Sequence, residues 1–192
     1  MGDSEVTQEL WQEVMGKNPS EVPLGPQLPV NNTPPSSLPE FIKALNQKVP
    51  CLTANIPSEA QWEYACRAGT QTPFSAGPTV NLKTCNYDGH LPYGATAVSS
   101  SKKQAVPVKS LPPNPWGIYE MHGNVIEMTR DGYTEYPLEP VFEPGGMSGQ
   151  VNIMRGGSWQ TSAKTCRSAA RNTLDRRYGV GDVGLRLMVP GS

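Results

Sequence analysis

A chain of 192 residues, 36 % hydrophobic, is long enough to bury a substantial core and is most simply one domain over 1–192; its 19 glycines and 20 prolines, against 17 acidic residues, favour a loop-rich fold over a helical bundle. The formal charge of −1 comes from 16 basic and 17 acidic residues spread along the chain, so no electrostatic footprint for nucleic acid or an anionic membrane is visible. No stretch approaches the roughly 20 apolar residues that a spanning helix requires, and Met1 to Glu5 lacks the basic start and apolar core of a signal peptide, so no membrane insertion and a soluble chain are expected.

Three short helices are predicted in chain order. In the first, Thr7 caps a run whose Leu10, Trp11, Val14 and Met15 share a face, and Gly16 stands where a left-handed terminal residue is wanted. Asn18 to Pro35 follows with six prolines, too many for a regular element but compatible with an ordered extended loop or a surface flap. The second helix is expected to start at a Ser37 to Glu40 capping box, with Pro39 in its first turn and Leu38, Phe41, Ile42, Leu45 and Val49 turned to a core. The third repeats the device with Ser58 and Gln61, points Trp62, Ala65 and Cys66 inward and stops at Gly69. Thr70 to Lys103 has no sustained period. Ala105–Lys109, Trp116–Tyr119, Val125–Met128, Val151–Met154 and Leu185–Val189 then read as short strands. Helices first and strands last favour an α+β domain over a parallel α/β sheet.

Cys51, Cys66, Cys85 and Cys166 show no C-x-x-C spacing, and His90 and His122 are isolated in sequence, so a structural zinc site is not indicated. Four thiols allow three complete pairings, and spacing selects none of them.

Six ordered segments stand out: Glu5–Trp11 with Met15–Ser20, Ile56–Gly69, Pro113–Glu127, Arg155-Gly-Gly-Ser-Trp159, Arg167–Arg171 and Gly184-Leu-Arg186. Gly117, Gly123, Gly156 and Gly157 suit tight turns or close backbone approach, and Trp62, Trp116 and Trp159 are expected to be buried anchors. Arg155, Arg171 and Arg186 beside these turns read as internal ties between loops and carboxylates or carbonyls rather than as substrate clamps. Together the segments resemble the formylglycine-generating-enzyme family, also called the sulfatase-modifying-factor domain, over nearly the whole chain. That resemblance implies a variant of the C-type-lectin fold, loop-rich, with short helices and small antiparallel sheets.

In oxidases of that family, two cysteines five residues apart follow Gly-Gly-Ser-Trp, bind copper and convert a substrate cysteine to formylglycine. Here Thr161 stands at the first of these positions and only Cys166 remains, so the resemblance implies a non-oxidase member. An oxidase alternative would need Cys85 or Cys51 brought beside Cys166, because Cu(I) seeks two soft ligands. The resemblance also implies a disulfide between Cys66 and Cys166. It further implies a calcium site formed by the side chains of Glu120 and Glu127 with the carbonyls of Gly123 and Val125, a set of oxygens suited to a hard cation. A second family calcium site would use Asn86 and Tyr87, but Leu91 to Lys103 offers it no carboxylate.

The function this implies is a non-catalytic module binding a protein or small-molecule ligand, with retroelement-diversified bacterial or phage display proteins as one form of it. Gln160, Thr161, Ser162, Lys164 and Thr165, with Asn172, Thr173, Asp175, Arg176, Arg177 and Tyr178, are the candidate contacts. The alternatives are the copper-dependent oxidase and a regulatory domain of a kinase- or secretion-linked assembly.

Overall fold

The computed structural model describes all residues except 22, 95–96, 137–138, 140–150, 176–180 and 191–192, and at 174–175 it describes the backbone only. Helix α1, Gln8–Met15, begins where Thr7 Oγ1 accepts a hydrogen bond from the Leu10 amide at 3.2 Å and ends at a left-handed Gly16, as its sequence predicts. Helix α3, Glu59–Arg67, carries the expected capping box between Ser58 and Gln61, and Ala68 with Gly69 makes its left-handed exit. Helix α2, Leu38–Lys48, starts differently. A 3-10 turn, Pro35–Ser37, precedes it, and the Ser37 hydroxyl donates backward to the Pro34 carbonyl at 2.7 Å instead of capping forward. The expected Ser37–Glu40 box is therefore absent: Ser37 already has helical φ and ψ, which turns its side chain away from the free amides.

Four strands form one sheet in the order β3-β2-β1-β4, where β1 is Ile126–Gly132, β2 Val151–Arg155, β3 Asn172–Asp175 and β4 Val183–Gly184. The β1–β2 and β2–β3 pairs are antiparallel and β1–β4 is parallel, in keeping with the mixed α+β architecture. Helices α1 and α2 pack through Trp11 and Phe41, whose rings stack at 4.4 Å and 10°, and with Val30, Leu45, Ile56, Met128 and Leu185 they build the main core. The proline-rich loop is part of this body. Thr7 bridges Pro29, the Gln8 side chain donates to the Pro23 and Pro29 carbonyls, and Val30 is fully buried.

Several expected elements are corrected. Ala105–Lys109 and Trp116–Tyr119 are irregular, and Leu185–Val189 contributes only an isolated bridge between Met188 and Asn55. Trp116 is 47 % exposed, its ring edge-on to that of Tyr64, and Trp159 is half-buried outside every core cluster; the buried indoles are Trp11 and Trp62. Strand β3 was not expected, because Asn-Thr-Leu-Asp has no apolar alternation; its backbone pairs with the Val151–Met154 edge. Among the described residues no helix is long and apolar enough to cross a membrane.

Candidate functional site

Strand β2 delivers the chain to Gly156 and Gly157, both at positive φ, 92° and 69°. Only glycine fits here. A Cβ on Gly156 would lie 3.1 Å from the Trp62 ring, and one on Gly157 would lie 2.6 Å from Cys166 Sγ. Beyond the turn, Ser158 is buried with its hydroxyl bonded to Asp182, and the Trp159 amide donates to the Asn124 carbonyl at 3.0 Å. Thr161 folds back so that its hydroxyl donates to the Ser158 carbonyl at 3.1 Å and accepts from the Ser158 amide at 2.9 Å. The 3-10 turn Ala163–Cys166 then buries Cys166 under this loop.

The three arginines are tied into the protein, although Arg155 Nε is buried without a hydrogen-bond partner. Buried Arg155 meets Glu59 and Glu63 of α3 and the carbonyls of Ala170 and Ser168; Arg171 holds Glu59 through two bonds of 2.7 and 2.9 Å. Arg186 grips both oxygens of Glu127 at 2.7 Å and the Gly2 and Tyr119 carbonyls, which joins the start of the chain to its end. Planar five-donor groups suit such multi-point ties.

This network reaches the residues of the calcium expectation. The Glu127 carboxylate also accepts from Trp62 Nε1 at 2.7 Å, so it is paired with Arg186 and takes three hydrogen bonds, two of them on Oε2. Glu120, buried at positive φ, accepts the Lys109 and Leu111 amides at 3.0 and 3.1 Å. Both carboxylates of the expected set Glu120, Gly123, Val125 and Glu127 are thus engaged by protein donors, and among the described residues no three His, Cys, Asp or Glu side chains converge on a metal position. Asn86, half of the second expected site, donates to Asn124 Oδ1 and the Gln104 carbonyl and leaves its own Oδ1 without a partner.

The cysteines are also corrected. All four are free thiols, so the Cys66–Cys166 bridge is not formed. Cys66 points from α3 at Ser168 Oγ, 3.6 Å away, and at the Met121 carbonyl; the side chain that faces it after the Gly-Gly turn is a serine, which cannot bridge. Burial pushes the Cys66 thiol up to about 12. Cys166 packs in a separate small cluster with Cys85, Phe74, Tyr87 and Ala163. The neighbouring Cys85 thiol lowers the Cys166 pKa, while burial holds that of Cys85 well above its usual value. Thr161 Oγ1 lies 4.0 Å from Cys166 Sγ, so hydroxyl and thiol are neighbours where the oxidase resemblance requires two thiols. Cys51 is exposed and takes no part.

Between the loop and the sheet lies a cleft of about 500 Å³ lined by Ile126, Met154, Thr161, Arg171, Asn172, Thr173, Asp182 and Val183. Its polar groups differ in freedom. Arg171 and Asp182 are tied to Glu59 and Ser158, whereas the Asn172 Nδ2 donor is buried without a hydrogen-bond partner. Of the expected contacts, Thr161, Asn172 and Thr173 meet here. Gln160 and Lys164 are exposed on the neighbouring loop, Ser162 is partly buried beside them, and Thr165 spends its hydroxyl on the Ser162 carbonyl at 2.7 Å. Asp175 sits in β3 opposite Val151, and Arg176, Arg177 and Tyr178 lie outside the described residues. Ile126, Met154, Asp182 and Val183 were missed as lining because their apolar or turn character reads as core.

The model of the sulfatase-modifying factor enzyme 1-like domain matches residues 1–190. The chain belongs to this family. Formylglycine-generating enzymes of Mus musculus and Streptomyces coelicolor are each 34 % identical to it, over 141 and 142 residues; both matches cover 68 % of this chain, with 38 % and 45 % of the respective relatives. The chain thus matches under half the length of those enzymes. A serine/threonine-protein kinase pkn1 of Chlamydia caviae is 31 % identical over 123 residues, 61 % of this chain and 18 % of the kinase. Among solved structures, Treponema denticola variable protein 1 superposes with TM-score 0.80 at 26 % identity, covering 97 % of this chain and 82 % of that one. PvdO from Pseudomonas aeruginosa superposes with TM-score 0.77 at 24 % identity, covering 96 % and 77 %, and shares the fold.

Proposed function

We propose that this domain is a binding module that grips a protein or small-molecule ligand in the cleft between the Gly-Gly-Ser-Trp loop and β3. The observation that carries the reading is the unpartnered Asn172 Nδ2, which lines that cleft beside Thr161 and Thr173. A buried donor without an acceptor costs about 1–3 kcal/mol, and a ligand carbonyl or carboxylate placed against it recovers that cost. The surrounding ties of Arg155, Arg171 and Asp182 fix the walls before a ligand arrives, which reduces the ordering needed on binding. Likeness to a protein described as variable favours a display role, in which Gln160, Thr161, Ser162 and Lys164 at the rim would set the choice of ligand. The test is selection of peptides from a random displayed library on the intact protein, followed by binding to Thr173→Trp, which fills the cleft from an exposed position. Selected peptides should lose at least tenfold in affinity for the variant; unchanged affinity would move the binding surface elsewhere.

A second reading is favoured by the Cys85 and Cys166 contact. Two adjoining thiols form a soft pair able to hold Cu(I), and the lowering of the Cys166 pKa favours the thiolate such a metal prefers. Copper would then sit on a different thiol pair from that of the oxidases, with Thr161 as a bystander. Similarity to part of a kinase keeps a regulatory domain within a larger assembly as a further form of the binding reading.

A further inference from the structure

We propose that Ser75 and His122 form a nucleophile and base pair that reacts with neutral esters of small apolar acids. Ser75 is the first of two residues in a tight turn closed by reciprocal backbone bonds between Phe74 and Gly77, at 3.1 and 3.0 Å. Its Oγ lies 2.9 Å from Nε2 of His122, and its own amide donates to the same nitrogen at 3.0 Å. The other ring nitrogen, Nδ1, lies 2.8 Å from the Cys166 carbonyl. A carbonyl only accepts, so the proton is on Nδ1, and the single Nε2 lone pair is shared between the Ser75 amide and its hydroxyl. The imidazole is buried, its ring packed edge-on to Phe74 at 5.4 Å and against the Cys66 sulfur, and that burial holds its pKa below the usual 6.5. It is therefore a neutral, single-tautomer base at ordinary pH, oriented by a third group.

The pair opens on a cavity of about 300 Å³ that shares no lining residue with the binding cleft. Pro112, Pro113, Ile118 and Met121 give it apolar walls for a short acyl chain, and Glu120 on one side disfavours an anionic substrate. In the reaction, Ser75 Oγ adds to the ester carbonyl carbon while its proton passes to His122 Nε2. Collapse breaks the carbon–oxygen bond to the alcohol, which leaves with that proton. Water, deprotonated by the same nitrogen, then releases the acid and restores Ser75.

The test is diisopropyl fluorophosphate on the intact chain, with peptide mass spectrometry to place the adduct and fluoride release to give the rate. The adduct should fall on Ser75, and it should vanish from that peptide in Ser75→Ala. In His122→Gln labelling should slow about 10²–10⁴-fold. The wild-type rate should rise with pH to a plateau whose midpoint lies below 6.5, as His122 loses its proton. That profile keeps the test decisive if His122→Gln fails to fold, since a serine without a base would keep rising with hydroxide. Absence of an adduct at Ser75, or a rate without a plateau, would overturn the pair. Neither outcome bears on Asn172 and the cleft.

Discussion

Two kinds of buried side chain were only half legible in the sequence. Arg155, Arg171 and Arg186 are the internal ties their positions beside glycine turns suggest, because a guanidinium next to a backbone reversal finds carbonyls in reach. The partners of Glu127 and Cys66, by contrast, were invisible, since they come from residues 59 to 102 positions away. Glu127 illustrates the consequence. With Arg186 replaced by Met, its carboxylate would stay buried beside Trp62 with no counter-charge, and unfolding in urea should show a loss of about 3–5 kcal/mol. A loss below about 1 kcal/mol would mean that Glu127 has another cation, and calcium would return as the candidate. The thiols give a second prediction at this scale. Iodoacetamide should modify Cys51 alone in the folded protein and all four cysteines after denaturation without reductant, as counted by intact mass. Only two adducts in denaturant would reveal a disulfide.

At the level of elements, the helices were readable because their signals are local. Thr7, Gly16, Ser58 and Gln61 each satisfy or release a helix end within a few residues, and the structure uses all four. Ser37 failed for a local reason as well: Pro34 and Pro35 start a 3-10 turn that takes the serine into the helix before it can cap. Strand β3 was illegible because its membership depends on the β2 edge rather than on its own Asn-Thr-Leu-Asp pattern. Trp159 was misjudged since a tryptophan after a glycine turn looks like an anchor, yet here Trp62 fills the space beneath Gly156. The turn itself carries the prediction. Gly157→Ala places a methyl against Cys166 Sγ at a φ of 69°, so thermal unfolding should show a loss of at least about 1 kcal/mol, with lost protection of Cys166 from alkylation. An unchanged melting point would show that the loop can shift aside.

Over the whole molecule, the two chain ends meet at a buried acidic centre. Burial first, and then the charges of Glu127 and Glu120, raise the Glu5 carboxyl well above its usual 4.5, while its oxygens accept from Asn124 and the Val125 amide. A raised pKa means that the folded state holds this proton more tightly than the unfolded chain. Its contribution is full below the unfolded value and is lost as pH rises through the folded one. Stability relative to Glu5→Gln should therefore fall as pH rises above about 4.5. Denaturant titrations of both proteins across that range check this, and parallel curves would contradict it.

The same body places Thr161 beside Cys166 at the mouth of the cleft, and the chemistry of that position separates recognition from oxidation. A hydroxyl is a hard, weakly acidic ligand and does not replace a thiolate toward Cu(I). The most direct measurement is mass spectrometry of a Cys-x-Pro-x-Arg peptide after incubation with copper-loaded protein, with Cys166→Ser and Cys85→Ser alongside. A binding module returns the peptide unchanged in all three samples; an aldehyde formed by the wild type and lost in Cys166→Ser would make the site an oxidase and contradict the reading.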